Sequence, residues 1–225
     1  MAWDFETDSA YQKKLDWVDR FVKEKVEPLD HVFGHPFDRS DVAAMTVLRD
    51  LQQEVRGQGL WACHLGPDLG GQGYGQVKLA LLNEILGRSV WAPSVFGCQA
   101  PDSGNTEILA RYGSPSQKAR YLEPLLAGTL SSCYSMTEPY GGSDPTMFTT
   151  RAERAGEDWI INGEKWFSSY ARYSDFFIVM AVSNPGVSAY QGTSMFLVPA
   201  HHPGVTIIRN VGTGTETEEE SRQQS

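Results

Sequence analysis

Several common functions are excluded by what this sequence has little of. Its 225 residues hold three cysteines, Cys63, Cys98 and Cys133, widely spaced and without a Cys-x-x-Cys pair. That leaves no redox dithiol and no zinc site of usual spacing, and the odd count suggests reduced thiols in an intracellular protein. Basic charge is scarce too: 19 Lys and Arg stand against 28 Asp and Glu, a net charge of −9. This balance argues against a general nucleic-acid surface. An anionic ligand would have to be met by a local positive group or by backbone N–H donors. No apolar run approaches the roughly 20 residues that span a bilayer. Residues 1–8 carry neither the basic nor the apolar region of a secretory signal and are acidic, unlike a mitochondrial transit peptide. A cytoplasmic location is expected, with mitochondria or peroxisomes as alternatives. No Gly-x-Ser-x-Gly elbow frames a hydrolase serine, and none of the five histidines stands in a recognisable catalytic triad.

What is present fits an ordinary globular protein, 40% apolar and 21% charged. The first half reads as helical. Over residues 9–26, Leu15, Val18, Val22 and Val26 share one face until Pro28. Asp41 is placed to cap a second helix with Ala44, Leu48, Leu51 and Val55 inward, stopped by Gly57 and Gly59. Residues 77–86 read as a more buried helix and 105–112 as a short one. Ser114-Pro115-Ser116-Gln117 spells a capping box for a helix running to about Leu126, with Gly128 ending it. From Leu130 the pattern changes to period two and β-branched residues. Strands are expected at 131–137, 149–155, 159–162, 164–168, 175–181, 194–199 and 205–209. Gly156-Glu157-Asp158 and Asn162-Gly163 are turn signals, the second a strong hairpin signal. The fold class expected is therefore α+β: an all-α domain over 1–129, then an antiparallel β-barrel-like domain over 130–212. Residues 213–225 hold no apolar side chain and read as a disordered acidic tail.

Two segments carry the chemistry. Ser135-Met136-Thr137-Glu138-Pro139-Tyr140-Gly141-Gly142-Ser143-Asp144 leaves an apolar strand and ends in a turn of glycines and hydroxyls. Gly141 and Gly142 would let a backbone approach a phosphate closely, with Ser143 as a further donor. Asn162-Gly163-Glu164-Lys165-Trp166-Phe167-Ser168-Ser169 sets an aromatic two residues before a small hydroxyl, able to wall one ring face and bond its edge. Alone, the first would be a hydroxyl-rich turn and the second a half-buried strand. Gly70-Gly71-Gln72-Gly73-Tyr74-Gly75 lacks the spacing and preceding strand of a nucleotide loop and reads as a helix–helix connection. Glu138 is expected to act structurally, Cys133 to pack, and His201-His202 to be exposed.

Together these two segments resemble the flavin-binding segments of the acyl-CoA dehydrogenase family. Gln99-Ala100-Pro101-Asp102-Ser103-Gly104-Asn105, Arg111-Tyr112-Gly113-Ser114, Leu122-Glu123-Pro124-Leu125-Leu126-Ala127-Gly128, Leu197-Val198-Pro199 and Pro203-Gly204-Val205 extend the resemblance over roughly residues 10–210. The texture from Cys98 to Asn105 is closest to the branch of family members ten and eleven. Where the family commonly carries Trp-Ile-Thr, this chain has Phe167-Ser168-Ser169. The resemblance implies FAD as cofactor, contacted by Tyr134, Met136, Thr137, Gly142, Ser143, Phe167, Ser168 and Ser169, with Ser143 also touching substrate. It implies α,β-dehydrogenation of an acyl-CoA, an electron-transfer flavoprotein as acceptor and a homo-oligomer. The family's catalytic glutamate lies in a C-terminal helical bundle that this sequence is expected to lack, so no catalytic residue is assigned. A truncated form with little activity alone is expected, and a non-catalytic flavin- or acyl-CoA-binding or interaction fragment is the alternative. Flavin monooxygenases and nitroalkane oxidases of the same superfamily match Met136-Thr137-Glu138-Pro139 less well.

Overall fold

The computed structural model describes residues 5–211, so the expected tail at 213–225 lies outside the described residues. The chain divides into two compact units, the second beginning at Ser131.

The helical unit opens with α1 (Ser9–Phe21), started by the Asp8 carboxylate, which accepts hydrogen bonds from the Ala10 and Tyr11 N–H groups. The helix then widens into a π-turn, Val22–Val26, and tightens into a 3-10 turn, Glu27–His31. Pro28 sits in the first turn of that 3-10 segment, where its missing N–H has no helical partner to lose. The α-helix therefore ends before Pro28, while Val18, Val22 and Val26 keep the expected buried face. In α2 (Val42–Gly57) Asp41 is the N-cap, accepting from Ala44 N–H at 2.9 Å, and Ala44, Leu48, Leu51 and Val55 face inward. α3 (Gln76–Leu86) fully buries only Leu82 and Leu86, less than its apolar sequence suggests, and Val77 is exposed. The short α4 (Ala92–Val95), which periodicity did not reveal, buries Ala92, Ser94 and Val95 between the fully buried Trp91 and Phe96. After α5 (Asp102–Tyr112), the capping box closes at both ends on α6 (Pro115–Gln117). A π-turn, Lys118–Leu122, leads into α7 (Glu123–Ala127), stopped by left-handed Gly128 at φ 77°. No helix among the described residues is long and apolar enough to cross a membrane.

The sheet unit contains β1 (Ser132–Ser135), β2 (Arg151–Ala155), β3 (Asp158–Asn162), β4 (Phe176–Val182), the single turn α8 (Ala189–Gly192) and β5 (Thr193–Pro199). β4 is central. It pairs in parallel with β1 (Ser132↔Phe176) and antiparallel with β5 (Phe176↔Pro199), and touches β2 in parallel at Val182↔Arg151. Among the described residues the sheet is thus mixed and does not close, with its antiparallel strand pairs at β2–β3 and β4–β5. The continuous apolar run Phe176-Phe177-Ile178-Val179-Met180-Ala181-Val182 marks a central strand rather than an alternating antiparallel one.

Three further expectations change. Asn162-Gly163 is not a hairpin turn: Asn162 stays in β3 opposite Arg151, and the β2–β3 turn is made at Gly156, φ 67°. Gly163 is required for space, since a Cβ there would stand 2.3 Å from Thr150 Oγ1. Residues 164–168 form no strand, because Phe167 at φ 53° breaks the extended path. Residues 205–209 form none either: Val205 N–H turns back to His202 O, and Ile208 is exposed.

Candidate functional site

The two chemistry-bearing segments meet at the end of β1. Beyond Ser135, the Met136 carbonyl accepts from Lys165 Nζ at 2.9 Å and the Thr137 carbonyl accepts from Trp166 N–H at 2.8 Å. Ser135 Oγ donates to Ser168 Oγ at 3.0 Å. Two successive carbonyls of the strip 136–137 are therefore engaged within the protein. A ligand approaching this strip would meet the Thr137 hydroxyl and N–H donors more readily than bare acceptors.

Beneath the strip lies Glu138, 3% exposed. Its carboxylate accepts from Lys165 Nζ (2.8 Å), Thr149 N–H (2.6 Å), Thr149 Oγ1 (2.8 Å) and Thr150 N–H (3.1 Å). Its own N–H and C=O close a small loop with Gly141. Burial pushes the Glu138 carboxyl up, but the bonds from Lys165, Thr149 and Thr150 outweigh it and hold the group down at about 2. Burial lowers Lys165 against the pull of Glu138. The carboxylate has the more hydrogen-bond partners of the two, since four donors converge on it and the ammonium has two acceptors. Glu138 is thereby bound into the hydrogen bonding of its own loop and of the segment entering β2.

The remaining sequence-derived residues fall as follows. Met136 and Thr137 are half-buried in the strip. Gly142 and Ser143 are exposed on the following loop, with Gly142 beside Thr137: a Cβ on it would meet Thr137 Cγ2 at an ordinary 3.8 Å. Gly141 differs from the expectation that it meets a phosphate. It is buried against Met147 and Phe148, so the loop's own packing accounts for it. Phe167 is 70% exposed, edge-to-face with Trp166. Its φ of 53°, and 63° at Tyr170, put two bulky side chains in the left-handed region within four residues. Such backbone costs of order 1 kcal/mol or more each and gathers at ligand sites. The Ser168 hydroxyl is engaged by Ser135, and Ser169 lies exposed at the following turn. Tyr134 is half-buried and its hydroxyl points to Met195 Sδ, 3.9 Å away on β5. Cys133 is fully buried and His201 and His202 are exposed. Sequence reasoning missed Lys165. The available signal was a lysine flanked by aromatics in a half-buried segment, where an ammonium needs a counter-charge.

A helical unit followed by a mixed sheet is also found in known proteins. The family profile for the acyl-CoA dehydrogenase N-terminal domain matches residues 9–129, and that for the middle domain matches residues 133–221. The chain belongs to the acyl-CoA dehydrogenase family. It is 41% identical over 207 residues to acyl-CoA dehydrogenase family member 11 of Homo sapiens, covering 88% of this chain and 26% of that protein. Identity to acyl-CoA dehydrogenase family member 10 of Mus musculus is 34% over 209 residues, covering 89% and 20%. A solved structure from Mycobacterium abscessus, described as that of an acyl-CoA dehydrogenase, matches with TM-score 0.79 and 34% identity, over 92% of this chain and 54% of that one. A glutaryl-CoA dehydrogenase from Mycobacterium smegmatis, solved in complex with FADH2, matches with TM-score 0.61 and 26% identity, over 89% and 48%. The chain thus spans about a quarter or less of these curated relatives and about half of these solved chains.

Proposed function

We propose that this chain is the flavin-binding part of an FAD-dependent acyl-CoA dehydrogenase that converts an acyl-CoA to a trans-2-enoyl-CoA, as in fatty-acid β-oxidation. The observation that carries this reading is the strip 136–137, whose carbonyls are engaged from behind by Lys165 and Trp166. The residues fit a flavin. Its ring edge is rich in acceptors and suits the Thr137 hydroxyl and the strip's donors. Its flat face suits Phe167, an exposed aromatic held in strained backbone. Its pyrophosphate suits exposed Gly142 and Ser143.

When bound, FAD would supply the acceptor for a hydride leaving the acyl β-carbon. The chain's own residues bind and orient: the strip 134–137 sets the ring edge, Phe167 and Ser169 bound one side of it, and Ser143 serves both phosphate and substrate. The proton-abstracting carboxylate is assigned to no residue here. Glu138 is unsuited to that task, being buried and held ionised at about 2 by Lys165 and two threonines. The chain by itself is accordingly expected to turn over little or no substrate. An electron-transfer flavoprotein as acceptor, oligomerisation with further family domains and a reducing compartment such as the cytoplasm complete the proposal.

The test is flavin retention and bleaching. The chain is purified with excess FAD, desalted, and its visible spectrum recorded anaerobically before and after straight and branched acyl-CoAs. A retained, unbleached flavin band is the expected result and marks a binding module without a base. Bleaching would reveal a base within this chain. No retained flavin in a folded chain would overturn the binding role.

A further inference from the structure

Lys165 is the point where three parts of the sheet unit converge. Its ammonium reaches the Met136 carbonyl (2.9 Å) and Glu138 Oε1 (2.8 Å), and sits 4.8 Å from the centre of the Phe148 ring. Glu138 in turn holds Thr149 and Thr150, the residues leading into β2. The next residue, Trp166, gives its N–H to Thr137 O, and Phe167 follows in the left-handed region. A single side chain therefore fixes the strip on one side and the exposed aromatic on the other, while its own side chain is 10% exposed. Replacing the pair by apolar groups of similar size would cost the fold little. It would also release the Met136 carbonyl, turning an acceptor toward the strip's ligand.

We propose that Lys165 and Glu138 are positioning residues for the cofactor: they touch no flavin atom, but by engaging the Met136 carbonyl and the segment carrying Phe167 they make the strip a donor surface of fixed geometry. This inference rests on the flavin reading above and adds to it the pair that sets cofactor affinity.

The test compares the full chain with the double variant Lys165→Met/Glu138→Gln, which buries no unpaired charge and so is expected to fold, and with Lys165→Met alone. Amide exchange is followed at Trp166, Thr149 and Thr150, with Ile178 in β4 as the internal reference. FAD affinity and the visible band of bound flavin are measured on the same samples. The double variant should keep protection at Ile178, lose it at Trp166 and Thr149, bind FAD roughly tenfold or more weakly, as when groups that orient a ligand-contacting residue are lost, and shift the flavin band. A purely scaffolding role would leave the band in place. Unchanged Trp166 protection, or unchanged FAD affinity and spectrum, would overturn the proposal. If the unaltered chain takes up no FAD, the flavin reading fails by itself, and exchange at Trp166 and Thr149 decides whether the clamp exists.

Discussion

In the helical unit, Val18, Val22, Val26, Val55, Trp91 and Phe96 are sealed from solvent, and two aromatic rings, Phe21 and Phe96, meet edge-on. In the sheet unit, Phe176, Ile178 and Ala181 of β4 and Cys133 are sealed in the same way, yet Trp159, Ile160, Phe167 and Met195 stay exposed. The deeply placed charged pair of the sheet unit, Glu138 and Lys165, adjoins the exposed segment Trp166-Phe167. The difference is one of purpose. The helical unit leaves apolar side chains such as Val42 and Tyr112 exposed singly, whereas the sheet unit holds an aromatic and a row of donors outward on a polar anchor. Large exposed apolar groups gathered near strained backbone mark a surface built to be covered by a ligand or a partner.

Several substitutions would sharpen or break this contrast. Phe96→Ala should destabilise the helical unit by about 3–5 kcal/mol by opening a cavity in a sealed core, read as a lower midpoint in denaturant. Lys165→Met should cost the sheet unit a comparable 3–5 kcal/mol, because it strands a buried carboxylate; a loss under about 1 kcal/mol would show that Glu138 is hydrated and not clamped.

Acid should separate the units by pH window. The folded Glu138 carboxyl stands at about 2 against an ordinary 4.5, so its stabilisation is complete above 4.5 and is lost as pH falls from there through 2. The amount is at most about 3 kcal/mol, and the lowered Lys165 offsets part of it. In the helical unit, burial lowers His64 below its ordinary 6.5, only partly opposed by Glu107, so that unit starts to weaken as pH falls below 6.5. Exchange at Trp91 and Ile178 across pH 7 to 2 should show the helical unit softening first.

Ser114→Ala, which removes a closed capping box, should cost about 1 kcal/mol. Phe167→Ala should change stability by no more than about 0.5 kcal/mol while weakening FAD retention; a large loss of stability would make Phe167 a core residue and not a ligand wall.

The helical unit was the more legible in sequence, for a physical reason. Asp41, Ser114 with Gln117, and Gly128 act locally, through bonds to groups within a few residues, and each does what its position indicates. The inward stripe of Val18, Val22 and Val26 survives a change from α to π winding. The sheet unit depends on distant partners. Asn162-Gly163 has the composition of a turn, but Thr150 across the β2–β3 pair decides that Gly163 is there for space. Residues 164–168 alternate like a strand, but Lys165 and Trp166 spend their bonds on 136–138 and leave no ladder. The site segments were recognisable as a pair because their hydroxyls, glycines and aromatic are local signals. The ion pair joining them spans 27 positions and has no periodicity to betray it.

The parallel pairing of β1 with β4 also sets a timetable. Ser132 meets Phe176, 44 positions further along the chain. Long-range parallel pairing is slow to nucleate because loop entropy is spent before contacts form. During synthesis, at roughly 5–20 residues per second, the tip of β1 would emerge about two to nine seconds before its partner strand. Over that interval the strip at its end is a bare strand edge, and the nascent chain is then at its most vulnerable to mispairing.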